Sequence, residues 1–185
     1  MFLILLVSLF LALPVNAALL PIGPGEISKI ESFSDSLKAF PLVKGINLEG
    51  DEISIPADLE GKKKLLLVAF KRKQQEDVNT WLTATRPLLE ANSSFSVYEL
   101  PTIKKMNFLI RLNINNGMRY GIDSKTQRLR TVTLYLDKER FKALLGINTE
   151  DQIYAFLLDE NNEIIYRRSG LADSQKIKEL EELLD

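Results

Sequence analysis

The sequence predicts a three-layer α/β fold, with helices on both faces of a mixed central sheet. Residues Lys64 to Phe70 read KLLLVAF, a run too apolar for a strand with one wet face and suited to a strand covered on both. Strand-like and helix-like patterns then alternate through the middle of the chain, as layered α/β domains require. The chain closes on two strand-like stretches joined by Asp159-Glu160-Asn161-Asn162 and followed by a helix; a hairpin added to alternating units makes the sheet mixed.

The elements follow in order. Ile27, Ile30, Phe33, Leu37 and Phe40 recur at spacings of three and four, predicting an amphipathic helix ended by Pro41. Asn47 to Asp51 reads as a turn before the alternating Glu52-Ile53-Ser54-Ile55. After the apolar strand at 64–70, a helix is expected over Gln75 to Ala91, with Val78, Trp81, Leu82, Leu88 and Leu89 on one side and Pro87 inside. A strand from Ser94 to Leu100 is expected to end at Pro101. A helix striped by Met106, Leu109, Ile110 and Ile114 then runs to Asn116-Gly117. Thr131 to Leu136 reads as a strand, followed by a helix capped by Asp137 and stopped by Gly146. Ile153 to Leu158 and Glu163 to Arg167 form the closing strand pair. The last helix is capped by Asp173 or Ser174 and buries Ile177, Leu180, Leu183 and Leu184. Trp81 and the phenylalanines lie at core spacing.

The first 17 residues, MFLILLVSLFLALPVNA, have the apolar run and small-residue exit of an export signal, without its usual cation at the start. Residues 18–26 are rich in Pro and Gly and read as a tether. The expected division is thus a signal over 1–17, a tether and amphipathic segment over 18–45, and one domain over 46–185. The protein is expected to be exported, to the periplasm in the first instance, with secretion or an uncleaved anchor as alternatives.

Composition narrows the chemistry. The chain has no cysteine and no histidine, so thiolate nucleophiles, imidazole bases, zinc-finger ligand sets, disulfides and lipidation at cysteine are all excluded. Net charge is −1 with both signs nearly balanced, which gives no global footprint for nucleic acid. No cofactor or metal site is expected. Any catalysis would rest on carboxylates, Lys, Tyr, Ser or Thr.

Three stretches resemble the thioredoxin-like fold family, in the exported thiol reductase and peroxiredoxin branch with its extra strand and helix. They are Leu59-Glu60-Gly61-Lys62 leading into Leu65 to Phe70, the helix bearing Pro87, and the closing series Val132 to Asp137, Phe141 to Ile147, Tyr154 to Asp159 and Glu163 to Gly170. The resemblance covers about residues 46 to 184. It implies a thioredoxin-like arrangement with a strand-helix insertion. Counted from Phe70, that family's cysteine pair would fall at Gln75 and Val78; counted back from Pro87, at Asn79 and Leu82. Where its cis-proline should precede the strand at Ile153, Asn148-Thr149-Glu150-Asp151 stands instead. Neither thiol–disulfide exchange nor peroxidase activity is therefore expected. A shorter likeness, in Leu145-Gly146-Ile147, Tyr154, Phe156 to Asp159 and the strand ending at Gly170, is to mitochondrial ATP synthase assembly factors. It implies a role in assembling or stabilising a membrane complex.

The candidate site is the loop after the apolar strand. Lys71, Arg72 and Lys73, with Gln74 and Gln75 at the start of the helix, stand where this fold points its reactive group. Cations beside a helix amino terminus suit a phosphate, a carboxylate or an acidic partner segment, and equally a solvated loop in place of a lost active site. Glu150 and Asp151 are expected to face this patch, as part of a binding site or as a charge-paired closure. Arg119, Lys125, Arg128 and Arg130 are a second candidate anion site, or a helix end followed by an exposed loop. Lys62-Lys63-Lys64 reads as a turn that keeps the sticky strand soluble, and Asn92-Ser93-Ser94 is a glycosylation sequon.

The expected function is non-catalytic: binding a protein partner in the cell envelope and assisting assembly or stability of an envelope protein or complex. No nucleic acid is expected, and membrane contact only through an uncleaved signal or a membrane-complex partner. The alternatives are a cysteine-independent enzyme, recognisable by a Lys or Glu buried at the old active site, and a small-molecule binding module, recognisable by a deep apolar pocket.

Overall fold

Seven strands form one mixed sheet in the computed structural model, which describes residues 38–184. The elements are β1 (Val43–Asn47), β2 (Glu52–Ile55), β3 (Lys63–Ala69), α1 (Gln75–Ala91), β4 (Phe95–Lys104), α2 (Phe108–Tyr120), α3 (Lys125–Arg130), β5 (Val132–Leu136), α4 (Lys138–Leu144), β6 (Tyr154–Leu158), β7 (Ile164–Ser169) and α5 (Ser174–Glu182). Spatial order is β2-β1-β5-β4-β3-β6-β7. The central β5, β4 and β3 run parallel, and antiparallel pairs flank them on both sides. The mixed α/β class expected from the pattern is the class found.

Alternation along the central strands divides the core in two. Leu66 and Val68 of β3, Leu100 of β4 and Phe156 of β6 point to one face, where α4 brings Phe141 and the turn after it Leu145. Leu65, Leu67, Val97 and Leu157 point to the other, where α1 lays down Val78 and Trp81 and α5 lays down Leu180. The four leucine and valine side chains of β3 from 65 to 68 are fully buried, which is why that strand carries no polar residue there. Asp137 caps α4 by accepting from the Arg140 amide. Gly146 ends that helix with φ of +60°, its amide donating to Ala143 O while Ile147 N reaches Lys142 O.

Several expectations need correction. The sequence pattern does not predict the Val43–Asn47 strand, which pairs with both β2 and β5. Most of the amphipathic segment, with the signal and tether, lies outside the described residues. Its last part is not helical: Ala39 bridges Glu163, and Phe40 is a core residue set edge-on against Phe141 and Phe156. The folded unit therefore includes residues on the amino-terminal side of position 46. β4 does not stop at Pro101. That residue pairs with Ala69 at the end of the β3 ladder, and Thr102–Lys104 continue against β5, so the missing amide falls where the strand changes partner. The helix expected to end at Asn116-Gly117 continues to Tyr120. Its Leu109 and Ile110 are exposed, not buried, as is Phe108. Lys64 is no turn residue either: it lies in β3 at 5% exposure, and burial lowers its pKa.

The close approach of β1 to β5 gives a direct test. A Cβ on Gly45 would sit 2.5 Å from Val132 Cγ1 and 2.9 Å from Leu134 Cδ2. Both neighbours are fully buried and have no room to retreat. Gly45→Ala is expected to lower urea-unfolding stability by about 1–3 kcal/mol, whereas Lys44→Ala, next to it on the exposed side, leaves the transition nearly where it was.

Candidate functional site

The loop from Phe70 to Lys73 leaves β3 and tightens into a 3-10 turn, Arg72–Gln74, before α1 begins. The organising residue is Gln74, 2% exposed. Its Oε1 accepts from two amides, Phe70 N at 2.8 Å and Lys71 N at 2.9 Å. Its Nε2 donates to Glu150 O at 2.8 Å, across to the loop before β6. One amide side chain thus satisfies three backbone groups that would otherwise be left unpaired between the loops.

Ion pairs surround that bond. Lys71 Nζ lies 2.7 Å from Asp151 Oδ1, and Asp151 Oδ2 also accepts from Thr149 Oγ1 at 3.0 Å. Glu150 is held by Lys138 at 2.6 Å and Lys142 at 3.0 Å. Lys138 Nζ also sits 5.7 Å above the Phe70 ring. Four of the candidate residues, Lys71, Gln74, Glu150 and Asp151, are therefore brought together as a clasp joining the two loops. Asp151 is 82% exposed, so its bond to Lys71 contributes little; Gln74 and Glu150 are the stiffer parts. Arg72 and Lys73 point to solvent. The amino end of α1 already carries Glu76 and Asp77, which offset its dipole. As an anion receptor the loop thus keeps two exposed cations, and its third is spent on the clasp.

The Lys138 ammonium, hydrogen-bonded to Glu150, holds that carboxyl below its ordinary value of 4.5; Lys142 adds to the effect and partial burial opposes it. Asp151 is lowered by Lys71 first and then by Thr149. Carboxylates depressed in the folded state stabilise it at pH above their unfolded values, and that contribution disappears as pH falls through the folded values. The urea midpoint is expected to hold from pH 7 to about 5 and to decline below. Glu150→Gln should start lower at neutral pH and decline less steeply in acid.

Gln75 leads to a residue the sequence reading missed. Its Nε2 donates to Glu99 Oε2 at 3.1 Å and to Asn79 Oδ1 at 3.2 Å. Glu99, on β4, is 4% exposed and also accepts from Gln127 Nε2 at 3.2 Å and Thr131 Oγ1 at 3.3 Å. All its partners are neutral. The available signal was a lone acid inside the apolar stretch SFSVYEL.

Two of the four residues of the second basic group, Arg119 and Arg128, are also tied down. Glu49 pairs with both Arg119 and Arg128, and Arg128 further donates to the Ile122 and Asp123 carbonyls. Among the described residues no cluster of three acids stands ready for a metal, and no helix is long and apolar enough to cross a membrane. The cis peptide among them is Ile55–Pro56, not one preceding β6. Two surface clefts of about 450 and 470 Å³ lie between α1 and α5 and beside the 148–152 loop; neither is lined by Gln74, Gln75 or Glu99.

No family model matches the chain, and no curated protein matches it in sequence. Among solved structures it is similar to the thioredoxin domain of a thiol-disulfide oxidoreductase from Bacteroides vulgatus, with a TM-score of 0.56 and 16% identity over 80% of this chain and 97% of that one. It is also similar to the exposed lipoprotein thioredoxin of Streptococcus pneumoniae, with a TM-score of 0.53 and 12% identity over 77% and 99% of the two chains. A member of the Sco family of cytochrome c oxidase assembly proteins matches with a TM-score of 0.54 and 12% identity over 80% and 94%. The likeness is one of fold: the chain has a thioredoxin-like fold and no cysteine.

Proposed function

We propose that this cysteine-free thioredoxin-like domain works by binding, outside the cytoplasm, and assists assembly or stability of an envelope protein or membrane complex. The clasp carries this reading. Where the fold presents a reactive thiol, this chain has built a Gln74-centred closure and left Arg72 and Lys73 facing outward, a surface suited to contact and not to turnover. The export-signal pattern of residues 1–17 supports the location. A structural neighbour described as a cytochrome c oxidase assembly protein shows that this fold serves complex assembly elsewhere.

The test is in-cell crosslinking of the full chain in the organism that encodes it, with identification of what is captured. Arg72→Glu with Lys73→Glu leaves Lys71 in the clasp and reverses the outward charges. A reproducible envelope partner that is lost in the double variant fits the proposal. A partner captured equally by both forms moves the contact elsewhere, and no specific capture by either form removes the binding role.

One observation favours a second reading. Glu99 is a buried carboxylate touching Gln75, one of the two positions at which the first cysteine would fall, and buried acids are common general acids or bases. Against it, three neutral donors occupy the carboxylate and neither cleft is lined by it. An activity abolished by Glu99→Gln at unchanged thermal stability would establish this reading in place of the first.

A further inference from the structure

Helices of globular domains turn apolar residues inward and polar ones to water; α2 does the reverse in its first turns. Arg111 folds inward over the Tyr135 ring at 5.5 Å, and Asn115 Oδ1 accepts from Tyr135 Oη at 2.7 Å. Phe108, Leu109, Ile110 and Leu112 face solvent at 62%, 70%, 46% and 45% exposure. Tyr120 at the far end is 89% exposed. Arg111 and Asn115 turn toward Tyr135 on the sheet side, with Ile114 and Met118 half-buried beside them, while the four apolar residues of the first turns lie open to solvent among the described residues.

Charge indicates what covers it. Seven Lys and Arg residues fall between positions 104 and 130 against one acid, Asp123, so this stretch carries +6 in a chain whose net charge is −1. Glu49, from the β1–β2 turn, pairs with only Arg119 and Arg128. Lys104 and Lys105, immediately before the apolar turn, are exposed and make no ion pair among the described residues. The apolar residues spread around the start of the helix. At 100° per residue, Phe108, Leu112, Leu109 and Ile110 span about 200°, a convex shape suited to entering a soft apolar layer. Apolar residues on the exposed side with cations at the margin are the pattern of helices that lie in a membrane interface.

From this inversion and charge we infer that α2 docks on an anionic lipid surface, its first turns entering the acyl boundary with Lys104 and Lys105 at the headgroups. The docking uses the folded domain itself and differs from an anchor at residues 1–17. It would bring the clasp-bearing domain to a membrane whether or not a signal is removed.

Because the chain has no cysteine, a single one can be labelled without background. The full chain carrying Leu109→Cys is labelled with an environment-sensitive nitrobenzoxadiazole dye. It is then mixed with vesicles of phosphatidylcholine and phosphatidylglycerol, or of phosphatidylcholine alone. Emission is expected to shift to the blue and rise on the anionic vesicles only. Adding Lys104→Glu and Lys105→Glu should weaken that partitioning about tenfold or more, and raised salt should weaken it too. The same dye at Glu160→Cys, in the β6–β7 turn, should report water throughout. An unchanged signal at position 109 on anionic vesicles overturns the inference. So does an equal response on neutral vesicles or at position 160, which assigns the binding to the amino-terminal apolar run. A shift that grows with protein concentration without lipid assigns the face to a second copy of the chain and also overturns it.

Discussion

Trp81→Ala is expected to remove about 3–5 kcal/mol of stability, lowering the melting temperature by roughly 6–20 °C. Trp81 is fully buried on the α1 side of the sheet, where it packs with Leu65, Leu67 and Val97 of the parallel centre and Leu157 of β6. Truncation leaves a void bounded by strands that pair on both edges and cannot collapse into it. It also removes the Nε1 bond to Gly170 O, 2.9 Å long, which ties α1 to the chain as it leaves β7. Trp81→Phe keeps most of the aromatic bulk but loses part of the indole volume together with that bond, so it should cost about 1–2 kcal/mol. Both values should be read by far-UV circular dichroism, because Trp81 is the sole tryptophan and the substitution removes the fluorescence signal. An alanine variant that melts with the wild type would mean that α1 does not sit on the sheet as described.

Gln74→Ala should be nearly as damaging, at about 3 kcal/mol, although it removes no apolar packing. The Phe70 and Lys71 amides lose their shared acceptor and Glu150 O loses its donor, at a position 2% exposed. Unsatisfied buried groups, and not lost attraction, set this cost. Gln74→Glu separates the two ends of the side chain. It keeps an acceptor for the amides but faces the Glu150 carbonyl with a second oxygen and adds negative charge beside Glu150 and Asp151. It is expected to be no more stable than the alanine form, as thermal melts of the three proteins at neutral pH would show.

Much of this architecture was legible because burial leaves a periodic trace. KLLLVAF could be little other than a strand covered on both faces, and the spacing of Val78, Trp81, Leu88 and Leu89 gave α1 the bounds found in the structure. β1 left no such trace: Lys44 and Gly45 interrupt any alternation, and the strand exists because β2 and β5 pair with it from both sides. Pro101 misled because a missing amide argues against a strand interior, unless, as here, the strand changes partner at that residue. For α2, periodicity revealed an amphipathic helix but not which face the sheet would take. Only the contacts of Tyr135 with Arg111 and Asn115 settle that.

The site was legible in its charges and not in its amides. Lys71 facing Asp151 follows from opposite charges on two loops that the fold brings together. Gln74 as acceptor for two amides, and Glu99 among neutral donors, depend on distances that no spacing encodes.

Closure of the clasp in the free protein is measured directly by amide hydrogen exchange at Phe70 and Lys71. Both amides should exchange slowly in the wild type, and Gln74→Ala should speed them about a hundredfold while the interior of β3 stays protected. If both amides already exchange in the wild type as fast as the exposed Arg72 and Lys73 beside them, the loop is open, Gln74 does not hold it, and the clasp is not closed in the free protein.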